Sequence, residues 1–161
     1  MMKRYKNLND ALIRNAEILS TEILPFEVLP LTPTRFFRFE SFGDLLNEYQ
    51  VINYFNICYK NPETRFALWT KNPRIIDKVL QNSDLEKPEN LQIVFSSPLI
   101  NHQANPNPNF EFIDKVFTVY DKKTAKDVNI NCGSRSCLSC GRCYRPNPNG
   151  EKIQFINEIL K

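Results

Sequence analysis

The sequence predicts an α/β protein built on a parallel β-sheet, and three observations carry that prediction. Four short runs rich in aromatic and aliphatic residues recur along the chain, at residues 35–41, 65–71, 91–97 and 116–120. Helical stretches separate the first three, and strand, helix, strand at these spacings is the pattern of βαβ units. Each run ends in polar or ionisable residues, as strands do where they pass into turns. At 161 residues and 18.9 kDa the chain supports one sizeable core, with about 70% of its unfolded surface buried. Four strands are too few for a closed eight-stranded barrel. The expected architecture is an open parallel sheet, or part of a TIM-type barrel, with the helices on one side.

The first helix is expected from Asn7 or Asn9 to Glu22, where Leu12, Ile13, Ala16, Leu19 and Ile23 repeat at helical spacing and Asn9 is a suitable N-cap. Pro25 and Pro30 keep the next stretch extended. Arg35–Ser41 is a Phe-rich strand, Phe42-Gly43-Asp44 a loop, and Leu45–Tyr59 a second helix. Arg65–Lys71 is a compact apolar strand. Pro73 then opens a helix to Gln81, because proline fits the first helical turn. Leu91–Ser97 and Val116–Tyr120 complete the strands, and a polar loop (residues 101–109) lies between them. Lys152–Leu160 reads as a last helix with Ile153, Phe155, Ile156, Ile159 and Leu160 on one face. The expected division is an α/β domain over residues 1–121 and, over residues 122–161, a Cys-rich loop with the last helix packed on it.

Composition excludes several classes. The apolar fraction is 42% and the charged fraction 24%, ordinary values for a globular domain. No run approaches the ~18–20 apolar residues of a membrane span, so no membrane partner is expected and the cytoplasm is the default compartment. Four glycines are too few for a phosphate-cradling loop. Residues 122–161 carry eight Lys/Arg against three Asp/Glu. That local excess suits either nucleic acid or the neutralisation of nearby thiolates.

Four of the five cysteines fall within twelve residues. Cys132, Cys137, Cys140 and Cys143 stand at the spacing C-x4-C-x2-C-x2-C. Short spacers let one loop wrap a single metal centre, and Gly133 and Gly141 supply the backbone freedom that such a loop needs. Structural zinc sites usually split their ligands into two distant pairs, whereas this run is closer to iron–sulfur loops. The expected ligand is therefore an iron–sulfur cluster (4Fe-4S) or zinc, and the competing account is a pair of disulfides. Arg135, Arg142 and Arg145 would offset thiolate charge around either metal. Cys58 lies among apolar residues as a small hydrophobe, and His102 in a solvated loop. Trp69 and the Phe-rich strand read as core.

Ligands of parallel sheets bind beyond the C-terminal strand ends. Here those ends carry Glu40, Ser41, Gly43 and Asp44, then Thr70 and Lys71, then Ser96 and Ser97, then Tyr120 and Asp121. This polar rim is a candidate site for a small molecule. The competing account is ordinary turn chemistry, with Glu40 and Lys71 paired across the rim.

The runs RFFRFESFGDL, RFALWTKNP and CGSRSCLSCGRCY resemble the gene product 88 family of phage and gut-bacterial proteins. The strand-end pattern is similar to that of radical SAM-type partial barrels, in which an iron–sulfur cluster binds S-adenosylmethionine. By that resemblance Glu40, Ser41 and Asp44 would receive the amino end of the ligand and Lys71 its carboxylate, with Gly43 and Ser96 completing the rim. Such barrels hold their cluster with an N-terminal C-x3-C-x2-C loop. The first cysteine here is Cys58, so the chain is expected to be a truncated relative that binds S-adenosylmethionine weakly or not at all. The four-Cys run would then be an auxiliary or structural centre. Two readings from other classes stand beside it. One is a zinc-knuckle nucleic-acid module, read from the basic tail. The other is a non-catalytic partner, or homo-oligomer, that pairs through open sheet edges.

Overall fold

The computed structural model describes residues 6–41 and 43–160. The basic residues at the very start of the chain and Phe42 of the expected loop lie outside the described residues. The elements are α1 (Lys6–Thr21), β1 (Phe36–Phe39), α2 (Glu48–Lys60), β2 (Arg65–Thr70), α3 (Pro73–Asn82), β3 (Leu91–Ser96), β4 (Lys115–Tyr120), a one-turn α4 (Cys137–Cys140) and β5 (Gln154–Ile159). The five strands form one open sheet in sequential order, every neighbouring pair parallel. It is an α/β sheet with flanking helices, and it does not close into a barrel.

The last element corrects the expected C-terminal helix and raises the strand count to five. Residues 154–159 pair along their whole length with β4, from Lys115↔Gln154 to Tyr120↔Ile159. The Ile and Phe spacing of the run is helical, but a run this short is not decided by periodicity alone. The open side of β4 decides, because its backbone groups need partners. At the other ends the shifts are small. α2 begins at Glu48 because the Asn47 side chain caps it, accepting from Gln50 N at 3.1 Å.

Alternation along the strands gives the sheet two faces. Phe39, Phe66, Leu68, Leu91 and Ile93 pack with Val51, Phe55 and Cys58 of α2 and with Ile76 and Val79 of α3. The helix-free connection from β3 to β4 contributes Phe112 and Ile113 to the same core. Burial of each such side chain stabilises the fold by about 1.5–3 kcal/mol. Val94, Phe117 and Ile156 face the other way, joined by Trp69 and Val119. No helix longer than one turn covers that face among the described residues. The chain between β4 and β5 covers it instead, and brings the cysteines there.

The two edges of the sheet differ. β5 is sealed by residue 131: Asn131 N donates to Asn157 O at 3.1 Å, its Nδ2 to Phe155 O at 3.1 Å, and its Oδ1 accepts from Asn157 N at 3.0 Å. β1 pairs with β2 alone. Beyond it, α1 packs on α2 and leaves an apolar groove of about 620 Å³ against the β1 side. One buried amide holds α1 in place. Asn53 Oδ1 accepts from Leu24 N at 2.9 Å, while its Nδ2 donates to Leu19 O and Glu22 O at 2.8 Å each.

Asn53→Leu keeps the branched shape and the number of side-chain heavy atoms and removes all three bonds. It should destabilise the protein by about 2–3 kcal/mol in chemical denaturation and make α1 the first segment cut in limited proteolysis. Lys78→Ala breaks only the exposed ion pair to Glu48 and should shift stability by less than about 1 kcal/mol.

Candidate functional site

The cysteine segment is fastened to the sheet at several points. Cys132 N donates to Asn157 O at 3.0 Å beside β5. The turn at Arg142–Tyr144 lies over β2 and β3, and the Tyr144 ring stacks on Phe36 of β1 with centroids 4.8 Å apart. Arg142 donates from its guanidinium to Asn131 O at 2.6 Å, tying the end of the loop to its start. Within the loop, the Ser136 side chain caps α4 by accepting from Ser139 N. Gly141 ends it in the left-handed region, φ +63°. A Cβ there would stand 2.9 Å from Phe36 Cζ, so this position requires glycine for both conformation and space.

That course brings the four cysteines of the run around one pocket of about 240 Å³, with Ile156 among its lining residues. Cys132, Cys140 and Cys143 are partly buried and Cys137 is exposed. All are free thiols, as is the fully buried Cys58. They ring the pocket without converging on a point. Among the described residues no three His, Cys, Asp or Glu side chains are close enough together to hold a single metal ion.

The electrostatics of the pocket come from the sheet below it. Burial pushes the Cys143 thiol up to about 12, with the neighbouring Cys132 and Cys137 adding to the shift, while Lys115 and Arg38 pull the other way. Burial also raises Cys132, helped by Glu158. Lys115, the first residue of β4, is fully buried at 0% exposure, and burial lowers its ammonium below the usual lysine range. Its Nζ donates to Asn147 Oδ1 at 2.5 Å, a neutral partner. The nearby Asp114 carboxylate is already held by Lys87 at 2.6 and 2.7 Å. The Arg38 guanidinium lies over the Trp69 ring, 3.9 Å from its centroid. Burial lowers its pKa, against the opposing pull of Tyr144, Cys143, Cys137 and Glu158.

The sequence did not single out Arg38, Lys115, Tyr144 or Asn147. A signal existed for the first two. Arg38, Gln92 and Lys115 are polar residues on the face of the strands that also carries Trp69 and Val94, a position that sheet alternation makes buried.

The strand-end residues divide into three places. Glu40, Ser41, Gly43 and Asp44 line the groove beside α1, whereas Lys71 and Ser96 do not. Asp44 staples the loop to β2: its Oδ1 accepts from Thr70 Oγ1 at 2.5 Å and Leu45 N at 2.8 Å, and its Oδ2 from Lys71 N at 3.0 Å. Lys71 is thus tied to Asp44 through its backbone, and among the described residues it forms no ion pair with Glu40. Ser96 ends β3, and Ser97 pairs with Thr118 at 2.7 Å. Glu40 takes the left-handed conformation, φ +53°, which a glutamate adopts only when its surroundings hold it there. Its Oε1 accepts from Tyr54 Oη at 2.6 Å and Gln50 Nε2 at 2.9 Å. A Cβ on Gly43 would stand only 2.8 Å from its Oε2. Burial raises its pKa, with the Asp44 charge adding and the Tyr54 and Gln50 hydrogen bonds opposing.

Fold and site together define an open parallel α/β protein whose second face is capped by a four-cysteine loop. The model of the gene product 88 family matches residues 2–152, and the chain belongs to that family. No curated protein and no solved structure matches it. No helix among the described residues is long and apolar enough to cross a membrane.

Glu40 sets a pH test. Its folded pKa lies above the unfolded value, so the folded state holds the proton more tightly. The stability it contributes is complete below the unfolded value, near ~4.3, and is lost as pH rises through the folded value. Glu40→Gln keeps an acceptor for Tyr54 and cannot ionise. It should melt above the wild type at pH 7, and the difference should vanish as the pH falls below about 4. Melting temperatures across that range check it.

Proposed function

We propose that this protein binds a metal centre through Cys132, Cys137, Cys140 and Cys143, and that the centre is an iron–sulfur cluster. One observation carries the reading: four thiols ring one pocket beside a fully buried ammonium whose hydrogen-bonded partner is a neutral amide. A buried cation calls for a compensating negative charge. Asp114, which Lys87 shares, supplies part of that charge, and thiolates held ionised by metal would supply the rest.

The spacing of the run supports a cluster over zinc. Structural zinc sites usually split their ligands into two distant pairs, whereas these four cysteines follow one another in a single short loop, as in iron–sulfur loops. When bound, the group supplies a site for one-electron transfer. The protein positions the four sulfurs, partly shields three of them from water and sets cations beneath them. Membership of the family carries no activity with it.

The rim supports S-adenosylmethionine poorly. Asp44 is taken up by three protein donors, and Lys71 and Ser96 lie away from the groove that holds Glu40. The reading therefore rests on the cysteine loop alone.

Anaerobic reconstitution with iron and sulfide should give a brown protein with broad visible absorption and stoichiometric iron and sulfide. Cys140→Ser should lose most of that loading, and Cys58→Ala should retain it. A colourless protein holding one zinc overturns the iron assignment. A protein that takes up neither metal overturns the reading as a whole.

A further inference from the structure

We propose that Arg38 and Trp69 form a positioning pair for the metal centre, donating hydrogen bonds from Arg38 Nε and Trp69 Nε1 to its sulfurs. The proposal rests on the metal reading above and adds the part of the protein that tunes the centre. Both N–H groups are buried, and neither has a hydrogen-bond partner among the described residues. Buried donors left in that state are rare in folded proteins and call for an explanation.

The surroundings narrow the acceptor. Trp69 packs in the apolar cluster that includes Cys132 and Cys143, and its ring also meets Phe117 with centroids 4.5 Å apart. The guanidinium stacked on it is within the electrostatic reach of Cys143 and Cys137. Cysteine sulfurs are thus among the groups that surround the pair, together with Tyr144 and Glu158. A neutral thiol is a weak acceptor. A metal-bound thiolate or an inorganic sulfide carries negative charge and accepts far better. Stacking locks the pair into one unit, so the indole holds the guanidinium plane while the guanidinium brings a full positive charge. Gln92 Oε1, another unpartnered buried atom on this face, is an acceptor and cannot serve sulfur.

Hydrogen bonds to the sulfurs stabilise the more negative, reduced state and so raise the potential of a cluster. Outer partners of this kind typically change metal affinity about 10–100-fold. Trp69 is the single tryptophan of the chain, so its emission reports on the pocket directly.

The test uses the full-length wild type, Trp69→Phe, Arg38→Gln and Arg38→Lys. Each is reconstituted anaerobically with iron and sulfide, then followed by chelator competition, reduction potential and, where Trp69 remains, fluorescence. Apo-protein melting curves separate loss of fold from loss of tuning. Loading should quench Trp69 emission in the wild type. Trp69→Phe keeps the packing and should release metal at a chelator concentration about 10-fold lower, with a lower potential. Arg38→Lys keeps the charge, and should recover part of the affinity that Arg38→Gln loses. If the wild type takes up no metal, the functional reading itself fails. If the wild type loads and the variants match it in affinity and potential, the positioning pair alone is overturned.

Discussion

A parallel sheet whose strands are apolar on both sides needs cover on both faces, and here only one face has long helices to provide it. α2, α3 and the segment around Phe112 close the first core. The second face falls to the chain between β4 and β5, which has a single helical turn, α4, and three isolated 3₁₀ turns. A segment so poor in regular structure needs other restraints. Backbone bonds beside β5, the Phe36–Tyr144 stack and the Asn147 amide hold its ends and middle to the sheet. A metal bound by its four cysteines would complete the set, since metal binding adds directly to folding free energy.

The same constraint explains why the inner face is polar in places. Arg38, Gln92 and Lys115 project where a helix would have demanded aliphatic residues. A fully buried lysine is rare in a core unless it is paired. Asn147 both receives that lysine and donates to Asp114 O at 2.8 Å and Glu151 O at 3.0 Å. Site electrostatics and the closure of the fold therefore run through the same few residues, and β4 begins one residue earlier than its apolar run to include one of them.

The rim shows how neighbours in sequence can take unlike roles. Glu40, Ser41, Gly43 and Asp44 all follow β1. Asp44 commits its carboxylate to Thr70 and two backbone amides, which is the loop chemistry that polar strand ends commonly serve. Glu40 is held at positive φ under Tyr54 and Gln50, with only the absence of a Cβ on Gly43 leaving room for its second oxygen. One residue anchors a turn, and the other is a strained, half-buried acid at the end of an edge strand.

Local pattern was enough for most of the sheet and for the set of thiols. The Phe-rich run of β1, the compact runs of β2 and β3 and the proline at the start of α3 each carry their conformation in their own residues, because side-chain sterics and fixed proline torsions act within a few positions. The Cys spacing likewise limits the loop to one pocket. Other features depended on contacts distant in sequence. Residues 154–159 became a strand because the unpaired edge of β4 needed partners, and nothing in that run records the edge. Arg38 and Lys115 come within electrostatic reach of the cysteines from β1 and β4, which share one face only after pairing through β2 and β3 sets their register. Sequence by itself determined which segments would form the first four strands and the main helices, and which cysteines would share one loop. The tertiary structure alone decided which face the thiols would cover and which buried charges would lie beneath them, since both follow from register and packing between segments far apart in the chain.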